Sequence, residues 1–287
     1  MSTEAAPRIR AMARDEVGLA IEWAAREGWN PGLEDAAAFH AADPEGFLVS
    51  EDADGKPVAC IAAVRHGDRL GFVGFYIVAP ERRGQGHGLA IWRAGLARLA
   101  GRVVGLDGVV AQQDAYRRSG FALAWRNLRH GAAAPRPVTV PAGAAAVVAA
   151  GALGYDALEA FDAEHAAAAR RAFLRAWLTL PGHVALAGVR DGAVAGLGVV
   201  RPCREGAKVG PLFARDGATA RALFAALAAR APAGPLFLDV PGPNADAAAL
   251  AREAGMAPVF ETARMYTGAP PAIPVDRVYG VTSFELG

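Results

Sequence analysis

Apolar positions along the chain follow two rhythms. A helix is predicted from Asp15, a good N-cap, through Ile21 and Trp23 to Gly28, a good stop, and a second from about Leu33 to Ala42, ended by Asp43-Pro44. The rhythm then shortens. Gly46-Phe-Leu-Val-Ser50 and Pro57-Val-Ala-Cys-Ile-Ala-Ala-Val-Arg65 flank Asp52-Ala-Asp-Gly55, which reads as a hairpin, and the apolar run Gly71 to Val78 reads as a buried strand. Past a glycine-rich stretch, Leu89, Trp92, Leu96 and Leu99 share one helical face, so Trp92 is expected in the core. A strand over Val103 to Leu106 and a short helix over Gln112 to Ser119, stopped by Gly120, complete the set.

Arg129 to Val140, with Pro135 and Pro137, reads as a linker, and the half of the chain beyond it repeats the half before it. Gly46-Phe47 recurs 136 positions on as Gly182-His183, Val73-Gly74 at the same offset as Val209-Gly210, and Asp54-Gly55 at 137 as Asp191-Gly192. The offset then falls to 132, from Leu106-Asp107 to Leu238-Asp239, and returns to 135 from Gly120-Phe121 to Gly255-Met256. A steady offset across several elements marks a duplicated domain. The fall marks about four residues lost from the second copy, where Arg215-Asp-Gly217 stands in place of Arg82-Arg-Gly-Gln-Gly-His-Gly88.

Composition narrows the function classes. At 287 residues the chain needs no disulfide or metal to hold a core, and a net charge of +1 without like-charge blocks argues against a nucleic-acid binder. Cys60 and Cys203 lack metal or redox spacing, the histidines lack ligand spacing, and no signal or spanning segment is visible, so a cytoplasmic protein without metal or membrane partner is expected. Self-association into a homo-oligomer is compatible with this reading.

The glycine-rich turn carries the chemistry. A strand feeding such a turn and then a helix offers unpaired N–H groups and a dipole end worth about half a charge, which suits phosphate. Gly84, Gly86 and Gly88 match neither a nucleoside-triphosphate loop, lacking Gly-Lys-Ser/Thr, nor the dinucleotide spacing. Val78-Ala-Pro-Glu-Arg-Arg-Gly-Gln-Gly-His-Gly88 instead resembles the acetyl-CoA pyrophosphate loop of the GNAT superfamily of N-acetyltransferases, with its core pattern on Arg83, Gly86 and Gly88. That family's Tyr four residues before Gly-Phe is matched by Tyr116-Arg-Arg-Ser-Gly120-Phe121. In the second half, Lys208-Val-Gly-Pro-Leu-Phe, Pro235 to Pro241, Ala263-Arg-Met-Tyr266 and Arg277 to Gly287 resemble a YitH-type GNAT domain.

The resemblance implies an α/β protein of two tandem GNAT folds, each a mixed sheet with a splayed parallel strand pair: residues 1–135 binding acetyl-CoA and 139–287 a degenerate copy without the loop. Backbone groups of Ile77 and Val78 would pair with the pantetheine arm, and amides of Arg83, Gly84, Gln85, Gly86, His87 and Gly88 would hold the pyrophosphate. Tyr116 would protonate the leaving thiolate as an amine of a small molecule or peptide takes the acetyl group directly. The strand Phe72 to Val78 lacks the carboxylate some relatives use as base. Asp107 is the first candidate in its place, although Asp239 at the matching position of the other copy favours a structural role for both. Glu22, Trp29 and Asp35 fall on the expected acceptor side, and the Arg201-Pro-Cys203 and Asp239 region is expected to wall the acceptor cleft. A module that senses acyl-CoA without turnover is the second reading.

Overall fold

The periodic runs take up the elements expected of them, and the surprises lie in which strands pair. The computed structural model describes residues 7–287. The first half runs β1 (Arg8–Ala11), α1 (Val17–Arg26), α2 (Asp35–Ala42), β2 (Phe47–Glu51), β3 (Pro57–His66), β4 (Leu70–Val78), α3 (His87–Arg98), β5 (Val103–Val109), α4 (Gln113–Arg118) and β6 (Ala122–Ala132). The second repeats it as β7 (Ala146–Ala149), α5 (Tyr155–His165), α6 (Arg171–Trp177), β8 (Val184–Arg190), β9 (Ala193–Pro202), β10 (Ala207–Ala214), α7 (Gly217–Ala228), β11 (Leu236–Pro241), α8 (Ala245–Glu253) and β12 (Ala257–Tyr266), and adds β13 (Val278–Gly280).

The predicted linker begins too early. Arg129 to Ala132 belong to β6, because their backbone pairs with β11 from Asp239 to Leu236, and that ladder overrides the weak strand propensity of His130-Gly-Ala132. The two repeats also share one thirteen-stranded sheet. Its order places β12 beside β5 and β6 beside β11, with β6 and β12 antiparallel to each other, so each half gives its closing strand to the other.

Two mirrored ion pairs fasten this exchange. Arg264 on β12 grips Asp107 on β5 through Nε (2.9 Å) and Nη2 (2.5 Å), and Arg129 on β6 grips Asp239 on β11 at 2.6 and 2.8 Å. All four side chains are buried. The halves also meet where Phe39 of α2 stacks on Trp177 of α6, and where Arg201 of β9 pairs with Asp35 at 3.1 Å.

In both halves the parallel central strands part company. β4 and β5 pair only from Leu70–Val103 to Val73–Leu106, and β10 and β11 only from Ala207–Leu236 to Val209–Leu238. In the second half the gap is filled by the chain itself: β13 pairs with β10, and the Val281 N–H donates to the Asp239 carbonyl on β11 at 2.9 Å. The segment from Val281 onward then crosses to the first half. Gly210 and Gly74, one repeat apart, let it pass, since a Cβ would lie 2.5 Å from the Val281 carbonyl oxygen at the first and 2.0 Å from the Glu285 carbonyl oxygen at the second.

This junction makes stability sensitive to acid. Burial, assisted by Arg201, lowers His183 to about 4, and burial, assisted by Arg170, does the same to His66, whose Nε2 lies 3.0 Å from the Leu286 carbonyl oxygen. Between pH 6.5 and 4 the unfolded chain therefore takes up protons that the folded chain refuses, so stability falls as pH falls through that window. Each histidine is expected to cost about 2 kcal/mol at pH 5 relative to pH 7.5. Urea unfolding at the two pH values should show the loss, with His183→Gln removing about half of it.

Candidate active site

The splay of β4 from β5 is the site's first element. Beyond Val73 the edge of β4 that faces β5 has no strand partner, and a bulge sets Phe75 and Tyr76 against Ile61 alone, with Phe75 in the left-handed region at φ 47°. The cleft that opens there holds about 440 Å³. Gly74 to Val78, Leu106 to Val109, Tyr116, Trp92, Trp29 and the paired Glu27 and Arg83 line it. The second half supplies Phe260, Thr262, Phe284 and Glu285.

The glycine-rich turn is the second element. Gly84 (φ 77°) and Gly86 (φ 90°) lie in the left-handed region, where a Cβ is strained, and at neither position would one meet another atom within 4 Å. Gly86 takes the N-cap position of α3 without capping by a side chain. Among the described residues, none of the amides from Gly84 to Leu89 donates to a protein acceptor. That row of free N–H groups at a helix start is an anion cradle. Side chains of the turn are turned to its own support: Arg83 Nε donates to the Val78 carbonyl (3.1 Å) and Nη2 to Glu27 (2.5 Å), while Gln85 donates to the Glu81 carbonyl. His87 is buried with neither ring nitrogen paired.

The equivalent turn of the second half is closed. Asp216 caps α7 by accepting the Thr219 N–H at 2.8 Å, and Arg190 holds its other oxygen at 2.7 Å. A carboxylate thus already takes one of the amides at this helix start, and β13 fills the strand gap beside β10.

Tyr116 lies at the slot beside Trp92 (ring centroids 5.7 Å apart), which in turn packs on Tyr76 at 5.1 Å. Trp92 is core, as its helical spacing predicts. Burial, with Tyr76 nearby, pushes the Tyr116 phenol up to about 12, so it carries its proton at neutral pH. Its hydroxyl makes no hydrogen bond to a described residue.

Asp107 lines the slot but is engaged elsewhere, which corrects its reading as base. Arg264 takes both its oxygens, Asn127 Nδ2 donates to Oδ1 at 2.7 Å, and the side chain is fully buried. Burial pushes the Asp107 carboxyl up, whereas the same carboxylate outweighs burial at Arg264 and holds that guanidinium charged. Bidentate geometry and the Asn127 donor favour the ionised pair. Asp239 mirrors it against Arg129, as the repeat suggests.

Three other expectations divide. Trp29 lines the slot, and its carbonyl accepts Arg129 Nη1 at 2.7 Å. Asp35 does not reach the slot: it is buried against Arg201 and accepts the Gly32 N–H, because its helix packs on the other half. Glu22 is exposed and paired with Arg204, also away from the slot. Arg201, Cys203 and Asp239 sit in the buried core between the halves and do not wall the slot; β12 and the segment after β13 do. Sequence reasoning missed Glu27, Phe260, Thr262, Phe284 and Glu285. The signal available for the last two was that Val278 to Gly287 has no counterpart in the first half.

No helix of the described residues is long and apolar enough to cross a membrane, and none of their His, Cys, Asp or Glu side chains cluster as a metal site.

Comparison with known proteins agrees with this geometry. The model of the acetyltransferase (GNAT) family matches residues 15–121, and that of an acetyltransferase (GNAT) domain matches residues 158–280. Holothin acyltransferase of Pseudoalteromonas sp. (strain SANK 73390) is 30% identical over 275 residues, covering 95% of this chain and 92% of that protein. A putative acetyltransferase from Pyrococcus horikoshii superposes with a TM-score of 0.82 at 20% identity, covering 100% of this chain and 98% of its own. A tandem GNAT protein from the clavulanic acid biosynthesis pathway does so at 0.63 and 17%, covering 92% and 100%. With a row of free amides beside a strand splay in one half and a side-chain-capped turn at the equivalent place in the other, the chain belongs to the GNAT family, as an acyltransferase with two GNAT domains.

Proposed function

We propose that this enzyme transfers an acetyl group from acetyl-CoA to a primary amine of a compact small molecule, directly and at the slot of the first half. The observation that carries the reading is the run of free amides from Gly84 to Leu89 opening beside the unpartnered edge of β4. These amides would hold the pyrophosphate, and the backbone of Ile77 and Val78 would take the pantetheine arm. Acetyl-CoA supplies the activated acyl carbon as a thioester. Tyr116 keeps a proton for the departing sulfur, and the backbone of β4 beyond its last pair with β5 is where an oxyanion would find an N–H donor.

The slot's volume and its aromatic walls, Trp29, Phe260 and Phe284, suit a compact, partly aromatic acceptor better than a folded protein surface. Holothin, which appears in the name of the relative that is 30% identical, is the first acceptor to test. Thiol release from acetyl-CoA with holothin and a set of primary amines tests the reading. Tyr116→Phe is expected to lower kcat about 100-fold with little change in acetyl-CoA affinity. Tight acetyl-CoA binding without turnover on any acceptor would favour an acyl-CoA sensor instead.

A further inference from the structure

The slot of the first half ends on a carboxylate that the second half supplies. Glu285 lines it, is 4% exposed, and its Oε2 is buried without a hydrogen-bond partner. Among the described residues the side chain has no ion-pair partner either. Orphaned buried carboxylate oxygens are costly, and one kept in a native fold calls for a reason such as a catalytic role or a bound ion.

Its position is held firmly. The backbone of Glu285 lies against Gly74, the first β4 residue past the last β4–β5 pair, and the Glu285 and Leu286 amides both donate to Ser283 Oγ, at 3.3 and 3.2 Å. Phe284 is clamped by the Arg129 guanidinium, 5.0 Å over its ring. The carboxylate therefore belongs to the point where the strands diverge, near the bulge at Phe75 and Tyr76.

Charges surround it on both sides. The buried Arg129, Arg201 and Lys208 are near enough to feel its charge, with Asp239 and Asp35 already paired to the two arginines. Three buried cations thus face three carboxylates, counting Glu285. Cys203 lies in the same core, its thiol pushed up by burial. On the slot side are the closed Asp107–Arg264 pair, the Glu27–Arg83 pair and the phenols of Tyr76 and Tyr116. Asp107 and Glu27 are committed to arginines, which leaves Glu285 as the slot carboxylate without a partner.

We propose that Glu285 is the general base that receives the acceptor's ammonium proton; this rests on the acyl-transfer reading above. One proton passes from the R–NH3+ nitrogen to the Glu285 carboxylate, leaving a neutral amine. The amine lone pair forms the N–C bond to the thioester carbon, and the C–S bond then breaks with its electron pair on sulfur. The thiolate takes the Tyr116 proton, the second proton lost from nitrogen restores Tyr116, and Glu285 returns its proton to solvent. The products are the amide and free CoA thiol.

The test is the pH dependence of kcat/KM for wild type, Glu285→Gln and Glu285→Asp, read as thiol release with holothin and a set of primary amines, alongside calorimetric binding of acetyl-CoA. Wild type should show an acidic limb. Glu285→Gln should fall about 100-fold or more and lose that limb while binding acetyl-CoA as wild type does, and Glu285→Asp should keep the limb at an intermediate rate. Glu285→Gln within threefold of wild type, with the limb intact, overturns the proposal and leaves acyl transfer standing. So does a Glu285→Asp variant that folds, binds acetyl-CoA and lacks the limb. No thiol release by wild type with acetyl-CoA bound overturns the acyl-transfer reading, and the role of Glu285 with it.

Discussion

Gly86→Trp should leave the chain folded and weaken acetyl-CoA binding at least about 100-fold, equivalent to about 2.7 kcal/mol. Two effects combine. Gly86 sits at φ 90°, where an L side chain costs roughly 1–2 kcal/mol of strain, and this local cost is small beside the packing of a thirteen-stranded sheet. No atom lies within 4 Å of the added Cβ, so the indole would project into the space that the free amides face. Gly88 makes a less clean test, because a Cβ there would come within 2.8 Å of the Tyr76 hydroxyl and 3.0 Å of Val78 Cγ2, disturbing the slot wall as well. Calorimetric titration with acetyl-CoA, paired with a thermal melt, separates lost binding from lost fold. Unchanged affinity in Gly86→Trp would place the pyrophosphate elsewhere.

Arg264→Met should destabilise the chain by about 3–5 kcal/mol, the usual cost of stripping one partner from a buried ion pair. Arg264 gives Asp107 two hydrogen bonds and lies 5.0 Å over the Phe72 ring, so its loss leaves a fully buried carboxylate with Asn127 as its main donor. The melting temperature should fall by on the order of 10 °C. Arg264→Met with Asp107→Leu should recover most of that loss, because the charge needing a partner is then gone. Urea denaturation of the two singles and the double gives the coupling directly. Additive effects would mean that the pair does not fasten β12 to β5. Recovery in the double variant would also mark Asp107 as a fastening residue, whose counterpart Asp239 plays the same part for β6.

Much of the fold was legible because duplication writes itself twice. The offset of 136 from Gly46 to Gly182 and its fall to 132 at Asp107 correspond to real elements: β2 with β8, β3 with β9, β4 with β10, and a turn shortened before α7. The glycine loop was legible from its residues, since free amides beside a strand edge require glycines there. An offset says which strands are equivalent, however, and not which copy they pair with. The exchange of β6 and β12 depends on long-range ladders and on Arg264 and Arg129 meeting the opposite half's aspartates. For the same reason Asp107 looked available when only its own half was considered. The segment from β13 to Glu285 has no repeat partner, so its two roles, filling one slot and flooring the other, became visible only once the halves were joined.

One copy keeps its row of free amides beside an open strand splay, whereas the other is capped by Asp216 and filled by β13, so a single donor site per chain is expected. Saturation binding of acetyl-CoA to the full chain tests it most directly. One molecule per chain, abolished by Gly86→Trp, is the predicted result; two per chain, or one that survives Gly86→Trp, would contradict it.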